Sequence, residues 1–187
     1  MGCFGLGAAY YLQKQGLRVL GFDKAHGPGT LGTGSVGYGR IWRHLHCEDR
    51  YCAMQKEAEE IWREVEKATG QEILHPGGLL YMKKIGHPDL EVLNKYGVRL
   101  SAAEIMKRWP AMVVPDYLEG IWTTDAGVIR IQVALNQFRQ SAVKLGADLR
   151  YRSHVSNIDH ENGTVTLESG ETFKAKTLVV TCGATTD

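Results

Sequence analysis

Apolar positions recur along the chain with distinct spacings, and each spacing names an element. Ile131, Leu135, Phe138, Ala142 and Leu145 fall on one stripe of a helix over 131–145 that Gly146 closes. From 48 to 69, Met54, Ala58, Ile61 and Val65 form a second stripe, while Glu57, Glu59, Glu60, Glu64 and Glu66 take the other faces. This predicts an amphipathic helix with a solvated side, ended by Gly70. Residues 5–15 predict a helix stopped by Gly16, followed by a short buried strand, Arg18 to Asp23, that ends in an acid. Ser101-Ala102-Ala103-Glu104 is a capping box for a short helix that Pro110 closes. Strands are predicted at 73–75 and 79–82 around Pro76-Gly77-Gly78, and at 121–124 and 127–129. Three more are predicted at roughly 149–159, 164–168 and 171–175, with turns at Asn162-Gly163 and Ser169-Gly170. Leu178-Val179-Val180 reads as a buried parallel strand running into Thr181-Cys182-Gly183.

Composition narrows the class. With 187 residues, 43% hydrophobic and 23% charged, the chain has the make-up of an ordinary folded domain. Lys+Arg 22 against Asp+Glu 21 leaves a net charge of +1, so no global field points to nucleic acid or to an anionic membrane. No apolar run approaches the ~20 residues of a membrane span. Cys3, Cys47, Cys52 and Cys182 have neither disulfide-scaffold density nor metal-type spacing, so no metal site is expected. Glycine is the exception: 22 residues exceed the usual ~7%, and Gly27, Gly29, Gly32, Gly34, Gly37 and Gly39 crowd one loop.

The candidate chemistry lies at the two glycine-rich places. A dinucleotide fold places a Gly-x-Gly-x-x-Gly turn before a helix, and an acid at the end of the next strand. The glycines admit a pyrophosphate onto the helix N-terminus, and the acid takes ribose hydroxyls. Gly2-Cys3-Phe4-Gly5 supplies the second and third glycines, and Asp23, with Lys24 beside it, stands where the acid belongs. The second place ends in Arg40-Ile41-Trp42-Arg43-His44. Arginine grips carboxylates and phosphates through paired hydrogen bonds, so two arginines behind a glycine loop suit an anionic ligand. By themselves they could equally be a surface pair.

Taken together these segments resemble the monomeric sarcosine oxidase family, in particular its peroxisomal sarcosine oxidase (L-pipecolate oxidase) branch. The resemblance is carried by Gly2-x-x-Gly5, the strand to Asp23, the run from Gly34 to His44, Lys107-Arg108-Trp109-Pro110, Asp125-Ala126-Gly127-Val128 and Thr181-Cys182-Gly183-Ala184. It implies an α/β fold: a Rossmann-like FAD-binding domain of the D-amino-acid-oxidase superfamily, here residues 1–69 and 131–187, with part of an α+β substrate domain at 70–130. It implies FAD as cofactor, with a small secondary amine or imino acid and O2 as partners, and imine and hydrogen peroxide as products. Gly2 and Gly5 would face the pyrophosphate and Asp23 the adenosine ribose. Gly34, Ser35, Arg40 and Ile41 would follow the isoalloxazine and ribityl chain. Arg43 would bind the substrate carboxylate, Val155 would meet the adenine through its backbone, and Cys182 and Gly183 would end the strand returning to the cofactor. The resemblance further implies a monomer in peroxisomes, without nucleic-acid or membrane partners.

Several departures accompany this resemblance. Val36 stands where family members often carry a histidine, and the glycine loop is about one residue longer. The family's flavin-attaching cysteine and oxygen-activating lysine would fall beyond Asp187. The strand leading into Gly2, central in such a sheet, would precede Met1. Its neighbours would be the strands at 18–23 and 178–181. Each unsatisfied buried backbone group costs about 1–3 kcal/mol, against a typical stability of about 5–15 kcal/mol. The chain read alone is therefore expected to be a partial product that forms no stable holoenzyme. The alternative function is a non-catalytic product that binds flavin weakly or not at all. Glycine oxidase-type and dimethylglycine dehydrogenase-type activities stay open, and an NAD module is disfavoured because it has no use for the Arg40/Arg43 loop.

Overall fold

The computed structural model describes residues 1–30 and 34–185, so Gly32 of the glycine-rich loop lies outside them. In chain order its helices are α1 (Cys3–Lys14), α2 (Asp49–Thr69), α3 (Pro88–Leu93), α4 (Ala102–Arg108) and α5 (Ile131–Lys144). Its strands are β1 (Leu20–Asp23), β2 (Arg40–Arg43), β3 (Leu74–Pro76), β4 (Leu79–Lys84), β5 (Val98–Ser101), β6 (Leu118–Thr123), β7 (Ala126–Ile129), β8 (Asp148–Tyr151), β9 (Val155–Asp159), β10 (Thr164–Leu167) and β11 (Thr172–Lys174). They fall into two units, one of residues 1–38 and 131–187, the other of 39–130.

In the first unit α1 packs on α5. Leu6, Ala9 and Tyr10 on one helix and Ala134, Leu135, Phe138 and Ala142 on the other are buried. The Tyr10 and Phe138 rings meet edge to face at 5.2 Å. Leu145, expected on the same stripe, is 47% exposed, because the helix has already ended at Lys144. β1 runs parallel to β8, with Leu20 opposite Asp148 and Asp23 opposite Tyr151. This βαβ-type pairing is the Rossmann-like element of the unit. β9, β10 and β11 form an antiparallel meander, its first turn at Asn162-Gly163 and Gly163 at φ +66°.

Two strand expectations need correction here. The single strand foreseen at 149–159 is two, because Arg152 adopts φ +55° and turns the chain from the parallel pair into the meander. The buried strand foreseen at 178–180 is not a strand: Val179 and Val180 are 56% and 49% exposed. Among the described residues β1 pairs only with β8, so 178–180 has no neighbouring strand to take its backbone hydrogen bonds.

The second unit holds two three-stranded antiparallel sheets, ordered β2-β7-β3 and β4-β6-β5. β3 and β4, read in sequence as strands about one turn, therefore serve different sheets. Leu45, Leu90, Leu93 and Ile121 form one core, flanked by Leu79, Tyr81 and Tyr96, while Ala102, Ile105 and Val114 form another. α4 begins with the expected capping box: Ser101 Oγ accepts the Glu104 N–H at 3.3 Å, and the Glu104 carboxylate accepts the Ser101 N–H at 2.8 Å. The stripe expected on α2 is buried only at Val65, and Met54 is 62% exposed. The border expected at 69/70 also differs from the observed division. Residues 39–69 pack with the second unit because β2 pairs with β7 and because Glu66 of α2 accepts the N–H groups of Ile73 and Leu74 at 2.6 and 2.7 Å.

Candidate functional site

In the first unit the expected nucleotide residues gather at the mouth of α1. Gly2 is the N-cap and has no side chain to cap the helix, whose N-terminus carries the positive end of its dipole. Ser35, 5% exposed, reaches into this turn and accepts the Cys3 N–H at 3.0 Å. A Cβ on Gly2 would stand 2.8 Å from Ser35 Oγ, and one on Gly5 would stand 2.8 Å from Thr181 Oγ1. The cradle thus accepts only glycine at both positions without displacing a hydroxyl.

Asp23 closes the same cradle from the end of β1. Its carboxylate accepts the Ala25 N–H at 2.8 Å and pairs with the amino group of Met1, whose carbonyl in turn accepts the Gly29 N–H at 3.1 Å. Lys24 beside it is exposed. The Asp23 carbonyl accepts the Ser153 N–H at 2.9 Å, which ties the acid to the turn that leads into Val155, the half-buried first residue of β9. Gly34 is exposed, while Cys182 and Gly183 follow Thr181, with Gly183 at φ +65° opening a single 3₁₀ turn. Glycines at a helix N-terminus and an acid at a strand end are the features of a dinucleotide fingerprint, here brought to one helix mouth. Thr181 has no place in the glycine-and-acid fingerprint, and only the fold brings it to Gly5.

In the second unit β2 sorts the arginine motif by side. Successive strand residues face opposite ways. Trp42 is 4% exposed and points inward, whereas Ile41 and Arg43 line an open pocket of about 390 Å³ together with His46 and Gln55. Arg40 and Arg43 are three apart, so they belong to opposite faces of β2 and do not form one clamp. Arg40 donates to the Gly39 carbonyl at 2.7 Å and has further interactions.

Arg43 is different. Among the described residues its guanidinium has no carboxylate within ion-pair distance and no acceptor for its N–H groups. Its only recorded side-chain partner is the Tyr81 ring, 5.7 Å below the guanidinium carbon. A half-buried guanidinium facing a pocket with its N–H groups unspent has the geometry to hold an anion through paired hydrogen bonds. Beside it, burial first and then the Arg43 charge hold the His46 pKa below its usual value, while a hydrogen bond to the Arg43 backbone works the other way. The imidazole is thus neutral near pH 7 and keeps one nitrogen as an acceptor. His46, Gln55 and Tyr81 carry no motif, and only tertiary structure shows their place beside Arg43.

The fold also assembles a group that sequence spacing does not reveal. His44 Nε2 lies 2.7 Å from Glu59 Oε2 and 3.9 Å from Asp125 Oδ1, and the three ligand atoms fall within 4.8 Å of one another. Arg63 Nε stands 3.5 Å from Glu59, so the group reads as an ion-pair network. No helix among the described residues is long and apolar enough to cross a membrane.

Comparison with known proteins fits this geometry. Residues 1–187 match the family of FAD dependent oxidoreductases known as DAO, and the chain belongs to that family. It is 31% identical, over 193 aligned residues and 98% of its length, to the monomeric sarcosine oxidase of Arthrobacter sp. (strain TE1826), of which it covers 49%. It is 28% identical to the N-methyl-L-tryptophan oxidase of Salmonella enteritidis, covering 97% of this chain and 51% of the relative. Among solved structures it resembles NikD, described as an unusual amino acid oxidase essential for nikkomycin biosynthesis. The TM-score is 0.76 at 23% identity, over 91% of this chain and 46% of NikD. The L-proline dehydrogenase of P. horikoshii gives a TM-score of 0.72 at 20% identity, over 90% of this chain and 47% of that one. These two likenesses bear on the fold alone. The chain thus has the α/β FAD-binding fold of the family, with FAD as the family's cofactor, and it spans about half the length of the curated relatives it matches.

Proposed function

We propose that this chain supplies the FAD cradle and the substrate-carboxylate receptor of an oxidase for a secondary amine or imino acid such as sarcosine or L-pipecolate. The products are the imine and hydrogen peroxide, with O2 as oxidant. The observation that carries the reading is Arg43: an unpaired guanidinium facing a pocket, in a chain that belongs to a flavin oxidoreductase family and is 31% identical to a sarcosine oxidase. FAD, when bound, supplies the two-electron oxidation.

The chain's own residues bind and orient. Gly2 and Gly5 let the backbone of α1 approach the pyrophosphate, and Asp23 takes the ribose hydroxyls. Ser35, Gly34, Lys24, Val155, Cys182 and Gly183 are assigned to the cofactor on the same reading, as are Arg40 and Ile41 from β2. Arg43 fixes the substrate by its carboxylate, and its permanent charge makes that grip independent of pH over the working range. Neutral His46 accepts a hydrogen bond from the substrate's amine side.

The test is peroxide release with sarcosine and with pipecolate by an FAD-loaded protein of the relatives' full length that contains this sequence. Arg43→Lys keeps the charge but loses the fork, and is expected to raise KM about tenfold with a smaller change in kcat. An unchanged KM would remove Arg43 from the site. Absence of both flavin absorbance and peroxide would favour the second reading, a non-catalytic product. That reading has one specific observation behind it: among the described residues, 178–180 pair with no strand, and Val179 and Val180 are exposed.

A further inference from the structure

The Arg43 guanidinium takes its support from a residue that no motif predicts. Tyr81 lies on β4, with its body packed against the cluster of Leu45, Leu90, Leu93 and Ile121. Its ring lies 5.7 Å below the Arg43 guanidinium carbon, and its hydroxyl donates to Asp89 Oδ2 at 2.8 Å. Asp89 sits in the first turn of α3, where its N–H donates to His87 Nδ1 at 3.2 Å and its carboxylate lies 3.9 Å from Lys83 Nζ. The phenol is thus pinned at both ends, by apolar packing on the ring and by a charged acceptor on the hydroxyl.

An aromatic face attracts a guanidinium while leaving every N–H free. A carboxylate in the same place would have paired those donors and closed the receptor. The Lys83 ammonium stands 5.4 Å from the same ring, so the ring is flanked by two cations with one carboxylate, Asp89, behind it.

We propose that Tyr81, tethered by Asp89, is the positioning residue for Arg43: it holds the guanidinium over the pocket with its hydrogen-bonding fork unspent, so that the site selects ligands bearing a carboxylate. This rests on the reading of Arg43 as the carboxylate receptor. It predicts that changes at Tyr81 act on the acid function of a ligand and not on its body.

The experiment is titration calorimetry of the FAD-loaded protein with benzoate and with benzamide, which differ in the carboxylate alone. Wild type, Arg43→Ala, Tyr81→Phe, Tyr81→Leu and Arg43→Ala/Tyr81→Leu are compared. Tyr81→Leu is expected to weaken benzoate about three- to tenfold and leave benzamide unchanged, while Tyr81→Phe, which keeps the ring and loses only the Asp89 tether, is expected to lose about two- to threefold; a Tyr81→Phe equal to wild type would remove the tether from the brace. The double variant is expected to bind benzoate no more weakly than Arg43→Ala alone. If Arg43→Ala binds benzoate as well as wild type, the receptor reading itself falls, and the brace with it. If Arg43→Ala loses benzoate while Tyr81→Leu does not, the brace alone is overturned. Equal losses of benzoate and benzamide in Tyr81→Leu, or additive losses in the double variant, would show a merely structural tyrosine and also overturn it.

Discussion

Glu66 shows how a single side chain joins two elements that the sequence pattern treats separately. One carboxylate oxygen accepts the N–H groups of Ile73 and Leu74, and the other takes Arg63 at 2.8 Å. Burial pushes its pKa up. The N–H of Leu74, the Arg63 guanidinium and the N–H of Ile73 outweigh that, so the pKa lies below the usual 4.5. A depressed carboxylate contributes stability that is present above the unfolded-state pKa and is lost as pH falls through the folded-state value. Glu66→Gln is therefore expected to cost about 1–3 kcal/mol in urea unfolding at pH 7. The gap to wild type should close below about pH 4.5. A gap that stays constant down to pH 3 would show that the charge is not what matters. Sequence reading placed Glu66 on a solvated face, because spacing along one helix says nothing about the strand that later docks there. Arg43 stands out in sequence only through the family resemblance, because an arginine pair behind a glycine loop reads by itself as a surface pair. Tyr81, one tyrosine of eight, was not.

Elements were legible where local rules act alone. The helices at 3–14, 49–69 and 131–144 follow from apolar period and glycine stops, and Gly70 takes the left-handed C-cap at φ +69°. The Ser101 capping box was readable for the same reason, since its four residues complete one another's hydrogen bonds. Ser101→Ala removes the acceptor for the Glu104 N–H and leaves the Glu104 carboxylate with only the backbone N–H of residue 101. The expected loss is about 1 kcal/mol of stability, read as a lower urea midpoint at unchanged slope. No change in midpoint would mean that α4 is held by its core residues Ala102 and Ile105 alone. Elements that depend on partners far along the chain were misread. The strand foreseen at 178–180 has the right residue types, yet strand formation is a property of a pair, and no strand lies beside it among the described residues. α3 was missed because its six residues are too few for a period and its N-terminal proline reads as a breaker; His87 and Pro88 in fact start it.

At the scale of the whole molecule, the two proposed roles fall on two units. The first unit gathers Gly2, Gly5, Ser35, Asp23 and Thr181 about one helix mouth, and the second presents Arg43 in a pocket. Family membership was legible from motif order along the chain, and the division between the units was not, because β2 follows a loop that belongs to one unit and pairs with a strand of the other. The cradle proposed for FAD is the part on which the remaining proposed chemistry depends. Its most direct test is equilibrium FAD binding, followed by quenching of flavin fluorescence, for the wild-type protein and for Asp23→Ala, with ADP as competitor. A cradle built for the adenosine diphosphate end predicts saturable binding that ADP displaces and that Asp23→Ala weakens about tenfold or more, the loss of charged hydrogen bonds to the ribose. Absence of saturable binding, or FAD bound equally well by Asp23→Ala and indifferent to ADP, would contradict it.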